Sequence, residues 1–256
     1  MSLGHADERL GDIFWLQNRV GWFHKKEPKE VSLMNSNSRY YIVLDLEMCQ
    51  VLKANRTKEY HYKNEIIQIG AVKLNKDFSE VSRFSTFVKP VFGFIDSFIE
   101  ELTGISQKNV ENAPVFENAL NEFINWVDDD NAIMVSWSRS DLHMFRNEIR
   151  GKGITSGIMD RYFEGWMDCQ EMFGIATNAS SSWGLERAIY ATNIVAEGNM
   201  HDGLADAVNT ASLFRLIQTQ PDFKLVDVYE SLRHEEVEHL SFSMGSLFEG
   251  LNLQFA

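Results

Sequence analysis

The chain has few cysteines, few prolines, no surplus of positive charge and no long apolar run. Its two cysteines, Cys49 and Cys169, are too few for a disulfide framework and lack the Cys-x-x-Cys spacing of zinc sites, so both are expected to be plain thiols in a reducing compartment. The formal net charge of −13 excludes binding of nucleic acid through a broad basic surface. Any polyanion must therefore be held locally.

The longest apolar runs fall far short of the roughly 20 residues that a transmembrane helix needs, so we expect no contact with a membrane. Acidic and basic residues (Asp7, Glu8, Arg9, Asp12) interrupt the apolar positions of residues 1–20, which is unlike a secretion signal. A cytoplasmic location is the resulting expectation. The 44% hydrophobic and 24% charged residues are ordinary for a globular protein.

The chain divides into an N-terminal extension (residues 1–38), one α/β domain (residues 39–220) and a helix-prone C-terminal extension (residues 221–256). The aromatic residues of both extensions favour packing over disorder. Neither extension indicates a protein partner or an oligomeric state, and both questions stay open.

Within the domain, strand-like patterns come first and alternate with helical patterns later. The predicted strands are 41–46, 65–74, 81–89 and 132–136, and the predicted helices are 115–127, 142–149, 185–191 and 203–217. Three successive strands indicate an antiparallel meander. The later alternation then predicts a mixed sheet flanked by helices.

Acidic residues stand at the ends of several predicted elements. Asp45 and Glu47 end the first strand, where burial of a carboxylate costs several kcal/mol unless something neutralises it. Asp141 opens a helix after a short strand, and His201 and Asp206 bracket another helix start. Alone, Asp141 reads as a helix cap and Asp206 as a solvated first-turn acid. Their shared placement instead predicts one cluster.

Four carboxylates in one cleft would raise one another's pKa values unless cations lay between them. Oxygen ligands suit Mg²⁺ or Mn²⁺, and two such ions roughly 4 Å apart can hold the attacking and the leaving oxygen of a phosphoryl displacement. A histidine, with an ordinary pKa of about 6.5, can take a proton from water near neutral pH, and His201 is the candidate base. The alternative for an isolated histidine at that position is a residue beside a helix N-terminus that is hydrogen-bonded to the backbone.

These residues carry a family resemblance. Asp45-Leu-Glu47, Asp141 after Ser-Trp, and His201-Asp-Gly-Leu-Ala-Asp206 resemble, in order, the three motifs of the DEDDh exonucleases in the DnaQ-like, ribonuclease H-fold superfamily. Four further segments resemble the branch of histone-mRNA and small-RNA 3′-end exonucleases and bacterial KapD-like proteins: 65–72, 87–90, 101–105 and 206–209. The resemblance covers about residues 40–220.

The resemblance implies an α/β, ribonuclease H-like fold with a mixed five-stranded sheet and a substrate that is the 3′ end of single-stranded RNA or DNA, released as 5′-mononucleotides. It implies that two Mg²⁺ or Mn²⁺ ions bind Asp45, Glu47, Asp141 and Asp206, with His201 and Glu47 as the catalytic residues. It also implies terminal-nucleotide contacts from Met48, Leu102 and Thr103, with Trp137 at the cleft wall. Core packing is the alternative for Leu102 and Trp137.

Two other functions are alternatives to exonuclease catalysis. Haloacid-dehalogenase phosphatases also place acids after a strand, but as Asp-x-Asp-x-Thr, whereas this chain has Asp45, Glu47 and Cys49. A regulatory binding module on an exonuclease fold would not need the intact carboxylates and His201, so catalysis is favoured. Two basic sets could hold phosphates or be solvated: Lys53, Arg56, Lys58 and Lys63, and Arg139, Arg146, Arg150 and Lys152.

Overall fold

A five-stranded mixed sheet in the order β3-β2-β1-β4-β5 organises residues 39–226, which are the residues that this computed structural model describes. β1, β2 and β3 form an antiparallel meander, while β4 runs parallel to β1 and β5 runs parallel to β4. The predicted fold class is confirmed. The strands are β1 (Tyr41–Gln50), β2 (Asn64–Leu74), β3 (Glu80–Phe87), β4 (Ile133–Ser136) and β5 (Met167–Asp168).

Helices cover both faces of this sheet. They are α1 (Ser97–Thr103), α2 (Gln107–Glu111), α3 (Phe116–Val127), α4 (Ser140–Gly151), α5 (Gly157–Glu164), α6 (Cys169–Ala176), α7 (Leu185–Ala191) and α8 (Gly203–Thr219). A short 3₁₀ turn, Lys53–Asn55, lies in the loop between β1 and β2. No helix in residues 39–226 is long and apolar enough to cross a membrane.

The side chains of β1 point alternately to the two faces of the sheet, and this alternation separates the two halves of the core. Ile42 and Leu44 pack in a cluster with side chains of α3, α4 and α5, whereas Tyr41 and Val43 pack with α6, α7 and α8. Successive side chains of a strand point to opposite faces, so Asp45, two residues after Val43, belongs to the α8 face. The strand itself therefore directs Asp45 and Glu47 toward α8.

The acidic pair lies inside β1, and the prediction that it ends the strand is wrong. β1 continues to Gln50 because its pairing with β2 continues to Asn64, past a register shift after Glu47. On its other edge β1 pairs with β4 only from Tyr41 to Val43. The opening for the site thus lies where the pairing of β1 with the short strand β4 stops, after Val43, and not at the end of β1.

The extensions are described only in part. Residues 1–38, predicted as an N-terminal extension, lie outside the described residues, as do residues 227–256 of the predicted C-terminal extension. Residues 221–226 contain no helix, and Phe223 and Leu225 pack against the α6–α8 side of the core. The proposed domain limits stay a prediction.

A group of buried or partly buried polar and charged residues joins the start of β2 to α4. We call Tyr60, Glu65, Glu148 and Lys152 the paired cluster. Lys152 Nζ lies 2.6 Å from Glu65 Oε1 and 2.9 Å from Glu148 Oε1, and the Tyr60 hydroxyl donates to Glu148 Oε2 at 2.6 Å. Glu65 also accepts three backbone hydrogen bonds, from the N–H groups of residues 91–93. The charges of the paired cluster are therefore compensated within the protein.

Candidate active site

The N-terminus of α8 lies directly on the sheet beside Asp45. A Cβ atom added to Gly70 of β2 would stand 2.1 Å from the carbonyl carbon of Gly203, so the glycine permits contact between the backbones of the strand and the helix. Gln68 completes the contact, because its Oε1 accepts a hydrogen bond from the Gly203 N–H at 3.0 Å. This contact brings the first turn of α8 over the acidic pair of β1.

Asp206 and His201 are joined by a direct hydrogen bond. The His201 backbone N–H donates to Asp206 Oδ2 at 2.9 Å, and His201 has a left-handed backbone with φ of 65°. That conformation is uncommon for a residue with a Cβ and is found where surrounding contacts enforce it. The helix and the preceding loop thus hold the imidazole and the carboxylate side by side.

Asp141 approaches from the opposite edge of β1. It lies in the first turn of α4, and its Oδ1 accepts a hydrogen bond from the Leu46 N–H at 3.1 Å. Leu46 lies beyond the part of β1 that pairs with β4, so the Asp141 side chain takes the place of a neighbouring strand. The backbone geometry that opens the site also secures Asp141 next to Asp45 and Glu47.

Burial and mutual repulsion raise the pKa values of all four acids. The pKa values of Asp45 and Glu47 lie well above the ordinary range, mainly because of burial and then because of the other acids. Burial raises the pKa of Asp141 to about 7 and that of Asp206 to about 6, against the opposing effect of hydrogen bonds from backbone N–H groups. Within residues 39–226, no cationic residue is among the causes of these shifts. The part of the chain that the structure describes therefore does not compensate these acids with a positive charge.

The residues fit a divalent cation. Ligand atoms of Glu47, His201 and Asp206 lie within 4.8 Å of one another. Within residues 39–226, Glu47 Oε2 and Asp206 Oδ1 are buried without a hydrogen-bond partner, which is costly in a folded protein unless another group completes the site. Carboxylate oxygens are suitable donors for a hard divalent ion. The arrangement can hold a cation against the negatively charged phosphate of a substrate.

Three polar residues that sequence reasoning missed support the site. Gln68 caps the contact with Gly203, and Asp202 begins α8 by accepting hydrogen bonds from the N–H groups of Leu204 and Ala205. Asp202 also adds to the repulsion that raises the pKa values of Asp45 and Glu47. Asn209 bonds to the backbone N–H and C=O of Glu197 and so ties the loop that carries His201 to α8. An aspartate before a helical Gly-Leu-Ala is a capping signal that could have identified Asp202.

The four predicted nucleotide contacts differ in their surroundings. Met48 belongs to the cluster formed with α3–α5, and Trp137 packs on Phe173 and donates from Nε1 to the Trp183 carbonyl. Leu102 is partly buried, while the buried Thr103 hydroxyl donates to the Ile99 carbonyl and accepts from the Ile105 N–H. Core packing thus describes the side chains of Met48 and Trp137, and their contact with a nucleotide stays a prediction.

The basic residues around Asp141 are engaged in contacts with the protein. Lys152 belongs to the paired cluster, Arg139 lies 3.8 Å from Asp168, and the Arg146 guanidinium lies over the Phe163 ring. Arg150 is exposed on the surface of α4. The residues near Asp141 therefore offer less for binding phosphate than the predicted set suggested.

The sequence as a whole identifies the family. The model of the exonuclease family, RNase_T, matches residues 42–214, which include all four acids and His201. The chain belongs to the exonuclease family. Members that it resembles are human ERI1 exoribonuclease 2, 26% identical over 77% of this chain and 32% of the relative, and human ERI1 exoribonuclease 3, 26% identical over 73% of this chain and 56% of the relative.

The chain thus spans about a third of the first of these exonuclease relatives and about half of the second. It also resembles the PolC-type DNA polymerase III of Caldanaerobacter subterraneus subsp. tengcongensis, at 33% identity over 45% of this chain and 7% of the polymerase. Membership of the exonuclease family therefore applies to residues 42–214, the region that the family model covers.

Solved structures show the same fold. Cell-death related nuclease 4 superimposes with a TM-score of 0.61 at 18% identity, over 74% of this chain and 67% of that one. The nuclease domain of 3′hExo, a DEDDh family member solved with rAMP, gives a TM-score of 0.58 at 18% identity, over 75% of this chain and 98% of that one. The predicted ribonuclease H-like fold is confirmed, and the match to the exonuclease family model confirms the resemblance to exonucleases.

Proposed function

We propose that this chain is a metal-dependent 3′–5′ exonuclease that cleaves the last phosphodiester bond of single-stranded RNA or DNA and releases a 5′-mononucleotide. The proposal is carried by one observation: four acids from β1, α4 and α8 meet at one place together with His201, and no cationic residue within 39–226 is among the causes of the pKa shifts of these acids. An arrangement so costly to the fold requires a compensating ligand.

Mg²⁺ or Mn²⁺ is the ligand that the carboxylates favour, because both ions prefer oxygen donors. We assign Asp45, Glu47, Asp141 and Asp206 to hold two such ions. When bound, the ions would stabilise both the attacking and the leaving oxygen of an in-line displacement at phosphorus. The first turns of α4 and α8 also direct their N-terminal ends toward this region, which favours anionic groups there.

His201 is assigned as the general base that takes a proton from the attacking water. Its pKa is lowered, mainly by burial and against the opposing charge of Glu186, so the neutral imidazole that a base requires predominates at neutral pH. Its ligand atom lies within 4.8 Å of those of Glu47 and Asp206, close enough for a water molecule to contact all three groups. Glu47 is assigned to orient that water in addition to binding metal.

The similar proteins support a 3′ end as the substrate. They include an exoribonuclease, a complex described as 3′-end specific recognition of histone mRNA stem-loop by 3′-exonuclease, and an exonuclease I complex with single-stranded DNA. Both sugars therefore occur among structural neighbours. A comparison of RNA and DNA oligomers of the same sequence decides between them, because the discrimination depends on contacts to the 2′-hydroxyl.

The test uses a 5′-labelled single-stranded oligonucleotide with Mg²⁺ or Mn²⁺. Wild-type protein should give a ladder of products shortened from the 3′ end together with 5′-mononucleotides. Asp45→Asn should abolish most of this activity. His201→Asn should do the same while keeping a residue that tolerates the left-handed backbone at this position.

Asp77→Asn is the matched control, since it makes the same chemical change in the exposed turn between β2 and β3. Equal activity of Asp45→Asn and Asp77→Asn would overturn the assignment of the site. Tight binding of the oligonucleotide without any hydrolysis would instead indicate a regulatory binding module.

A further inference from the structure

The loop between β1 and β2, residues 51–63, is the most basic exposed segment near the site. It holds four lysine or arginine residues and one glutamate, a formal charge of +3, in a chain whose net charge is −13. It leaves β1 at Val51, four residues after Glu47, which is roughly 13 Å along a strand that rises about 3.3 Å per residue. The loop therefore lies at the end of the hairpin nearest the acidic site.

The loop is anchored to the core. Tyr60 is fully buried, and its hydroxyl oxygen lies within hydrogen-bonding distance of two acceptors, 2.6 Å from Glu148 Oε2 of the paired cluster and 2.8 Å from the Asn64 carbonyl oxygen. The Tyr60 ring also stacks on Phe92 at 4.5 Å, and Asn55 Nδ2 donates to the Phe92 carbonyl. An anchored loop loses little conformational freedom when a ligand binds.

Three lysines of this loop are available to a ligand. Arg56 donates twice to the Val51 carbonyl, at 3.1 and 2.9 Å, and so maintains the shape of the loop. Lys53, Lys58 and Lys63 are exposed, and no ion pair within residues 39–226 involves them. The positive charge of the loop is thus directed to solvent and not consumed by the fold.

Exposed apolar side chains accompany these lysines. Leu52 is 43% exposed and Phe94 is 36% exposed, and the Phe94 N–H donates to the Gln50 carbonyl where β1 enters the loop. Phe98, at the start of α1, is 37% exposed. Aromatic faces beside lysines are the usual composition of surfaces that bind single-stranded nucleic acid, since bases stack on the rings while the lysines contact phosphates.

We propose that Lys53, Lys58 and Lys63, together with Leu52 and Phe94, form a binding track for the part of a single strand that lies 5′ of the reacting bond. The inference rests on the proposed function for the direction of the strand. Charge complementarity identifies the occupant, because a polyanion approaching an acidic protein is attracted where lysines are concentrated. The track explains how a protein of net charge −13 can retain a polyanion at an acidic site.

The test compares two triple variants that change the charge equally. Lys53→Gln/Lys58→Gln/Lys63→Gln removes the track, and Lys76→Gln/Arg215→Gln/Lys224→Gln removes three exposed cations elsewhere. Lys76 is suited to this role because it follows the end of β2 remote from Asn64. Each protein is assayed for hydrolysis of a dinucleotide and of an oligomer of roughly 15 nucleotides, near the upper site size of single-strand-binding folds.

We expect the track variant to lose about tenfold in kcat/KM on the oligomer relative to the dinucleotide, and the control variant to keep the wild-type ratio. Binding of the oligomer in EDTA, where hydrolysis is absent, should weaken in parallel. The slope of log K against log salt should fall in magnitude by about 2, since each lost phosphate contact contributes about 0.7 for a single strand. Phe94→Ser should weaken oligomer binding by about tenfold without a change in that slope.

An equal loss on both substrates, or the same loss in the control variant, would overturn the track. So would an unchanged oligomer affinity, which would leave residues 51–63 as a solvated loop. If wild-type protein binds the oligomer through these lysines but hydrolyses neither substrate, the proposed function fails while the binding surface stands. The two outcomes are therefore distinguishable.

Discussion

Two groups of buried acids in this molecule are compensated in opposite ways. In the paired cluster, Lys152 lies within 2.9 Å of both Glu65 and Glu148, and backbone N–H groups and the Tyr60 hydroxyl take up further oxygens. In the acidic site, Asp141 and Asp206 accept hydrogen bonds from backbone N–H groups, but within residues 39–226 one buried oxygen of Glu47 and one of Asp206 have no hydrogen-bond partner.

The comparison teaches that burial of carboxylates alone does not indicate a functional site. Both groups have acids with raised pKa values, including Glu148 at about 7, where burial outweighs Lys152. What differs is the source of positive charge, because the first group has its own lysine, whereas the second takes a cation from solution under the proposed function. The first group serves the fold, and the second imposes a cost that the proposed metal ions would offset.

Removal of Lys152 should produce the largest loss of stability. Lys152→Met leaves Glu65 and Glu148 buried without their cation, and breaking such a pair costs about 3–5 kcal/mol. Urea denaturation measures the free energy of unfolding. Arg150→Met, on the exposed surface of the same helix, should change it by less than about 0.5 kcal/mol. Similar values for the two variants would show that Lys152 does not compensate these acids.

Removal of one acid of the active site should lower activity without lowering stability, the opposite of the effect expected for Lys152. Asp206→Asn should lower kcat about 100- to 1000-fold, the range for loss of one preorganised electrostatic group. The free energy of unfolding in EDTA should not fall, because the substitution relieves repulsion on Glu47. Steady-state kinetics and denaturation of the same preparation check both parts. A large loss of stability without metal would assign Asp206 to the fold.

Metal binding should stabilise the protein in a pH-dependent way. The folded pKa values of Asp141 and Asp206 are raised to about 7 and about 6, so their stabilising contribution is complete below the unfolded value of about 4 and is lost as pH rises through 6 to 7. Without metal, the melting temperature should therefore fall between pH 5 and pH 8.

Mn²⁺ or Mg²⁺ at about 100 times its Kd should restore about 2.7 kcal/mol at pH 8 and less at pH 5, where protons compete for the carboxylates. Thermal denaturation with and without EDTA measures this difference. Glu148→Gln should alter the pH dependence equally in both conditions, since the paired cluster binds no ion. A metal effect that is independent of pH would contradict binding by these acids.

The smallest effect concerns the contact that assembles the site. Gly70→Ala places a methyl group 2.1 Å from the Gly203 backbone, and overpacking of this kind costs about 1–3 kcal/mol. Because α8 must shift, activity should fall as well. Gly174→Ala in α6 is the control, since its Cβ meets no atom within 4 Å and should stabilise the helix by about 0.5–1 kcal/mol. Denaturation measures the free energy of unfolding of both variants, and steady-state kinetics measures their activity.

Much of the fold could be predicted from periodicity, and the failures have local causes. The predicted helix at 185–191 coincides with α7, and the meander of β1, β2 and β3 is correct. α1, α2, α5 and α6 were not predicted; each has five to eight residues, so periodicity is a poor guide at this length, although it identified the seven-residue α7. β5 has only two residues, and its neighbours in the sequence carry no strand pattern. Its pairing with β4 is a tertiary feature.

The candidate site was predicted more completely than its supports. The spacing and order of Asp45, Glu47, Asp141, His201 and Asp206 mark the family, and the structure brings these residues to one place. Gln68 and Asn209 act through contacts between residues far apart in the chain or through a loop, so periodicity carries no sign of them. Met48, expected at the nucleotide, belongs to the same core cluster as Leu44 and Leu46, and its contact with a nucleotide stays a prediction.

By itself the sequence determined the strand that carries the acidic pair, the family and the chemical identity of the cluster, because these depend on residue type and on short-range spacing. Only the tertiary structure decided that the pair lies inside β1, that the pairing with β4 stops before it, and that within residues 39–226 no lysine or arginine is among the causes of the pKa shifts of Asp45 and Glu47. The reason is physical. Compensation of a buried charge depends on distances between atoms from separate elements, and those distances exist only in the packed sheet and helices.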